Sequence, residues 1–94
     1  MAQTNANTVR LRTFVSASLE RAEARDCASA AAGLRRDAAR IARQLQALSA
    51  WAANGRSPDP PGHLEGISAF QLSDAMETLE AEAWRRDLTP QGPA

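Results

Sequence analysis

The chain has no lysine and no tyrosine, one cysteine, one histidine and four aromatic rings among 94 residues. A lone cysteine, Cys27, excludes a disulfide within the chain and suits a reducing compartment. With Cys27 and His63 as the only residues of their kinds, a zinc site of the Cys/His type cannot be assembled from one copy. No apolar run approaches the roughly 18 residues of a membrane span. Residues 1–8 lack the basic flank and apolar stretch of a signal peptide. These absences predict a cytoplasmic protein. Neither sign of charge prevails, since eleven acids balance eleven arginines. That balance argues against a general nucleic-acid coat, which is strongly basic, and equally against an acidic mimic of DNA. The sequence has no glycine-rich phosphate loop, no G-x-S-x-G elbow and no convincing Ser/His/Asp set. A non-enzyme without catalytic residues, cofactor or metal is therefore expected.

What the chain does have is alanine, at 21 positions, with arginine as its only basic residue apart from His63. Alanine favours helix wherever it stands. The bias towards alanine and arginine suits a GC-rich bacterial or phage genome. Large apolar residues number only 19, a thin supply for a core in so short a chain. A second copy, as in a homodimer, or another protein that completes the core is thus expected.

The apolar pattern is helical and points to an all-α fold. Leu34, Ala38, Ile41, Leu45, Leu48 and Ala52 recur in steps of four and three, one face of a single helix. Leu11, Phe14, Val15, Leu19 and Ala22 mark an earlier helix, with Thr8 placed to cap it. The two stripes are out of register, which predicts a turn near Asp26 to Ser29. The alternatives are a first helix that ends at Gly33, or one continuous helix over 8–53. Asn54 and Gly55 form a good terminator. The Pro/Gly-rich segment 56–66 then separates a third helix. Ser68 and Gln71 write a capping box, and Ile67 and Leu72 write a hydrophobic staple. Asp74, Glu77 and Glu80 towards the start and Arg85 and Arg86 near the end suit the helix dipole.

The predicted architecture is a small bundle of about three helices, at 8–25, 28–53 and 68–88, joined by a loop at 54–67. Helices one and two form the main pair, a long hairpin, with the third packed across them. Residues 1–7 and 89–94 are predicted to be disordered flanks of a single domain at 8–88.

Four constellations carry the functional question. Arg36, Arg40 and Arg43 align opposite the stripe of the second helix, suited to phosphates or an acidic partner, although a solvated face is spelled the same way. Trp51 and Trp84 both fall off the centre of their helices' stripes, and Trp84 shares a second ridge with Ala81 and Leu88. Tryptophan buries a large area and is enriched at binding hot spots; for Trp84 a binding surface and a place in the core, with the third helix packed on two sides, fit equally. For Trp51, cover by the 56–66 loop is favoured. Cys27 extends the second stripe backwards and reads as a small buried residue. Asp74, Glu77 and Glu80 lie off the apolar face and read as solvated.

The favoured reading is a non-catalytic protein-interaction module: an adaptor, a subunit or an inhibitor that acts by occlusion. A small inhibitor from a phage or mobile element, of the anti-CRISPR type, fits its size. Trp84, Leu88, Trp51, Arg36, Arg40 and Arg43 are the candidate partner-binding residues. One alternative is a nucleic-acid-associated regulator that uses Arg35, Arg36, Arg40 and Arg43. Another is a purely structural bundle subunit that assembles with itself.

Overall fold

A computed structural model describes residues 6–55 and 62–88. It is an all-α bundle of three helices: α1, Ala6–Glu23; α2, Cys27–Ala53; and α3, Ala69–Leu88. A 3-10 turn, Gly62–Leu64, lies in the connection that precedes α3. Hydrogen-bonded and ion-paired partners place α2 antiparallel to both neighbours. Ser18 and Asp37 join α1 to α2, and Arg35 and Asp87 join α2 to α3. Thr8 and Gln71 meet where α1 and α3 both begin.

Asp26 makes the break between the first two helices. Its backbone is extended (φ −65°, ψ 163°), and its carboxylate accepts the amide of Ser29 at 2.9 Å. That bond satisfies one of the orphan donors of a helix N-terminus. The continuous helix is thereby excluded, and the turn lies at 24–26, just ahead of the predicted position. Ser29 and Gly33 both fall inside α2. At the other end Gly55 takes φ +81°, the left-handed conformation that ends a helix without a Cβ clash. The start of α3 follows its capping box in both directions. The Ser68 amide donates to Gln71 Oε1 at 2.8 Å, and the Gln71 amide donates to Ser68 Oγ at 3.2 Å. Both staple residues, Ile67 and Leu72, are buried.

The core departs from the predicted pairing, because α2 and α3 form the main pair and α1 packs more lightly against them. The largest fully buried side chains are Leu34 and Ile41 from α2, Leu72 and Leu79 from α3, and Leu64 from the 3-10 turn. None comes from α1. Its buried positions are Thr8, Ser18 and Ala22, while Leu11, Phe14, Val15 and Leu19 are half-buried against the cluster. Small and polar inward residues leave α1 little area to bury, which is the physical reason the pairing differs. The α2 stripe also fades towards its end, where Leu45 is half-buried and Ala52 exposed.

Thr8 does not cap α1. The helix starts two residues earlier, and the Asn7 side chain reaches across to donate to the carbonyls of Gly62 and Glu65 at 2.8 and 2.9 Å. Residues 1–5, 56–61 and 89–94 lie outside the described residues, as do the side chains of Cys27 and His63. The predicted flank disorder, loop cover of Trp51 and burial of Cys27 fall there.

Candidate functional site

The site begins from the outward face of α3. At about 100° per residue, Phe70 and Leu88 stand five full turns apart and share one angular position. Ala81 lies about 20° to one side and Trp84 about 40° to the other. The inward residues of the same helix, Leu72, Ala75, Leu79 and Ala83, are buried. The outward ones are left in solvent: Phe70 is 78% exposed, Trp84 64% and Leu88 63%. Val9, on α1, is the other large apolar side chain exposed among the described residues. Three of these four therefore lie on one side of one helix. Asp74 and Glu77, both exposed, occupy the same face between them.

Phe70 was not among the residues singled out above. The staple and the capping box draw attention to its neighbours and leave its own direction unread. A signal was available, because Phe70 precedes Trp84 by fourteen residues, two heptads, on a helix whose inward stripe is already complete without it. Beside Phe70 an open groove of 430 Å³ runs between α1 and α3, with Leu11, Val15 and Ala75 among its walls and Arg12 and Asp74 at its rim.

The base of the face is fixed by ion pairs. Glu82 accepts from Arg85 Nε at 3.0 Å and lies 3.2 Å from Arg86 Nε. The bond from Arg85 holds the Glu82 carboxyl below its usual range, with partial burial acting against it. Arg35 of α2 pairs with Asp87, and that bond raises the guanidinium pKa further. These contacts lie along the flanks of α3, beside the exposed Trp84 and Leu88.

The arginines of α2 do not stand together as one ridge. Arg40 leans over the Phe14 ring of α1, its guanidinium carbon 5.3 Å from the ring centre, a cation–π geometry. Arg36 lies 4.0 Å from Asp37, and Arg35 is held by Asp87 on the α3 side. Arg43 is exposed on the outer face. Trp51 is half-buried and packs against the core beside the 67–69 segment, with Leu48 and Ala52 around it. It is thus separate from the Trp84–Leu88 surface.

A second feature not anticipated is polar and inward. Asp37, only 9% exposed, sits between Leu34 and Ile41 in the α2 sequence. It accepts from Ser18 Oγ at 2.6 Å and from Arg21 Nη2 at 3.1 Å. Ser18 stands on the apolar face of α1, where a hydroxyl needs a partner. Its spacing from Phe14, Val15 and Ala22 was the legible sign.

Among the described residues, no three His, Cys, Asp or Glu side chains gather to hold a metal ion. Nor is any described helix long and apolar enough to cross a membrane. No family model, curated protein or solved structure matches the chain.

Proposed function

We propose that the protein is a non-catalytic interaction module, an adaptor, subunit or occluding inhibitor, that docks through the outward face of α3. The observation that carries this reading is the run of exposed Phe70, Trp84 and Leu88 on one side of an ordered helix. Leaving aromatic and leucine side chains in water is unfavourable by roughly 25 cal/mol per Å² of apolar surface. Covering them on a partner recovers that free energy, and the helix needs no rearrangement to present them. The arginine-based reading has weaker support, because Arg35 and Arg40 are already engaged within the bundle.

The test is capture from a lysate of the source organism by tagged protein, with and without nuclease. A companion variant carries Trp84→Ser and Leu88→Ser. Both side chains are solvent-exposed, so the variant should keep its helical circular dichroism. Retained protein that survives nuclease and is lost with this variant is the expected result. Retention that disappears with nuclease, or that falls with Arg36→Glu and Arg43→Glu while the α3 variant behaves as wild type, would overturn it. Phosphate contacts of that kind also weaken steeply with added salt.

A further inference from the structure

We infer that the cleft between α1 and α2 binds a small phosphate monoester, its phosphate held by Arg10 and Arg40 and its organic group laid on Phe14 and Ile67. The cleft shares no residue with the outward face of α3 and stands independently of the docking reading. Zero net charge conceals a segregation that favours an anion here. From Cys27 to Ala53, α2 carries four arginines against one acid, Asp37, while α3 carries five acids against two arginines. Asp37 is buried and bonded to Ser18 and Arg21, so the exposed charge of α2 is wholly positive.

Several guanidinium groups are already matched within the bundle. Arg21 and Arg36 stand beside Asp37, Arg35 pairs with Asp87, and Arg85 and Arg86 pair with Glu82. Among the described residues, neither Arg10 nor Arg40 has a carboxylate partner. They come from different helices and converge on one cleft of 240 Å³, and no carboxylate lines it. Two cations facing one concave space repel each other, and an anion between them turns that repulsion into attraction. Both groups are held before a ligand arrives. The Arg40 guanidinium rests over the Phe14 ring at 5.3 Å, and none of its N–H groups has an acceptor among the described residues. Arg10 Nη1 donates to Asn7 Oδ1 at 3.5 Å, and Asn7 is itself tied to the carbonyls of Gly62 and Glu65. Side chains placed in advance lose less entropy on binding.

Chemistry selects the ligand. A phosphate monoester carries about −1.5 to −2 at neutral pH and matches two guanidinium groups, whereas a carboxylate matches one. Guanidinium forks bond phosphate oxygens in pairs, and Gln44 adds an amide to the wall. Leu11, Phe14 and Ile67 make the rest of the lining apolar, which suits a ring or a short chain. The volume lies below the roughly 300–1,000 Å³ of pockets for drug-sized ligands, so the ester is small.

The experiment is a titration of the isotope-labelled full chain with phenyl phosphate at constant ionic strength, followed by nuclear magnetic resonance. Resonances of 7–14 and 40–44 should move saturably, with Kd on the order of 0.1–1 mM. Arg10→Gln should weaken binding about tenfold, and adding Arg40→Gln should abolish it while the helical circular dichroism is kept. Arg10→Lys keeps the charge without the fork and should fall between. Arg25→Gln, an exposed site beyond the far end of α1, removes the same charge from elsewhere and should bind as wild type. Inorganic phosphate, which lacks the ring, and benzoate, which has about half the charge, should each bind about tenfold more weakly or worse. No saturable movement, movement reproduced by added chloride, or an equal loss with Arg25→Gln would overturn the site. Benzoate as tight as phenyl phosphate would overturn the phosphate assignment. A short single-stranded oligonucleotide without a terminal phosphate that displaces phenyl phosphate at a tenth of its concentration would overturn the small ester in favour of a nucleic-acid surface.

Discussion

Between α2 and α3 the largest buried side chains are Leu34, Ile41, Leu72 and Leu79, with alanines filled in around them; on α1 the buried side chains are only Thr8, Ser18 and Ala22. The first seam is held by apolar area, which is non-directional and scales with the surface removed from water. The second is held by placed bonds. Asn7 ties the first turn of α1 to the carbonyls of Gly62 and Glu65, and Asp37 ties Ser18 and Arg21 further along. A hydrogen bond adds only about 0.5–1.5 kcal/mol net, somewhat more when a charge takes part. Bonds of this kind fix the register of a helix more than they hold it down. The α2–α3 hairpin is therefore the stable frame and α1 the element that opens first.

The largest expected effect tests that difference directly. Leu79→Ala, in the hairpin, should cost about 2–5 kcal/mol. Leu19→Ala, on half-buried α1, should cost about 1 kcal/mol. Urea midpoints measure both, and equal losses would erase the distinction between the seams. Next comes the clamp. Asp37→Ala strands the Ser18 hydroxyl and should cost about 1–3 kcal/mol. Hydrogen exchange should then quicken across 6–23 while the amides of 69–88 keep their protection. A uniform loss over all three helices would mean that α1 and the hairpin open as one unit.

Capping gives a smaller effect with a different address. Ser68→Ala and Asp26→Ala should each cost about 1 kcal/mol. The first should act on the hairpin frame, and the second should speed exchange at the start of α2, where α1 is joined to it. The smallest effect belongs to Glu82. Its carboxyl pKa is lowered in the folded chain, chiefly by the bond from Arg85. The stability this confers is present above the unfolded glutamate value of about 4.3. It is lost as pH falls through the lower folded value. Glu82→Gln should therefore flatten the acid side of the stability profile and cost about 1 kcal/mol or less at neutral pH. An unchanged acid limb would show that the pair at the end of α3 adds nothing to the frame.

Much of this was written locally. The start of α3 could be read from Ser68, Gln71, Ile67 and Leu72 because a capping box and a staple are completed within one turn of helix. The end of α2 could be read from Asn54 and Gly55 for the same reason, and the all-α class from the periodicity of Leu34 to Leu48. The angle each makes with the inward stripe set Trp84 and Leu88 off that face, but for Trp84 it fitted packing between helices and an exposed surface equally well; the exposure belongs to the structure. Phe70 was legible in principle by the same angle, but it stands in the first turn of α3, where the cap holds the eye. Asp37 was harder, since an acid between Leu34 and Ile41 reads as a flanking charge until the helix that covers it is known.

The sequence by itself determined the all-α class, the apolar stripe of α2, its end at Asn54 and Gly55, and the capped start of α3, because propensity, capping and helical period act over a few residues. Only the tertiary structure decided that α2 pairs chiefly with α3, that Asp37 turns inwards to Ser18, and that Arg40 settles over Phe14 rather than beside Arg36 and Arg43. Those outcomes depend on how three helices share a small supply of large apolar side chains. Residues far apart in the chain compete for that space, and no single stretch of the chain records the result.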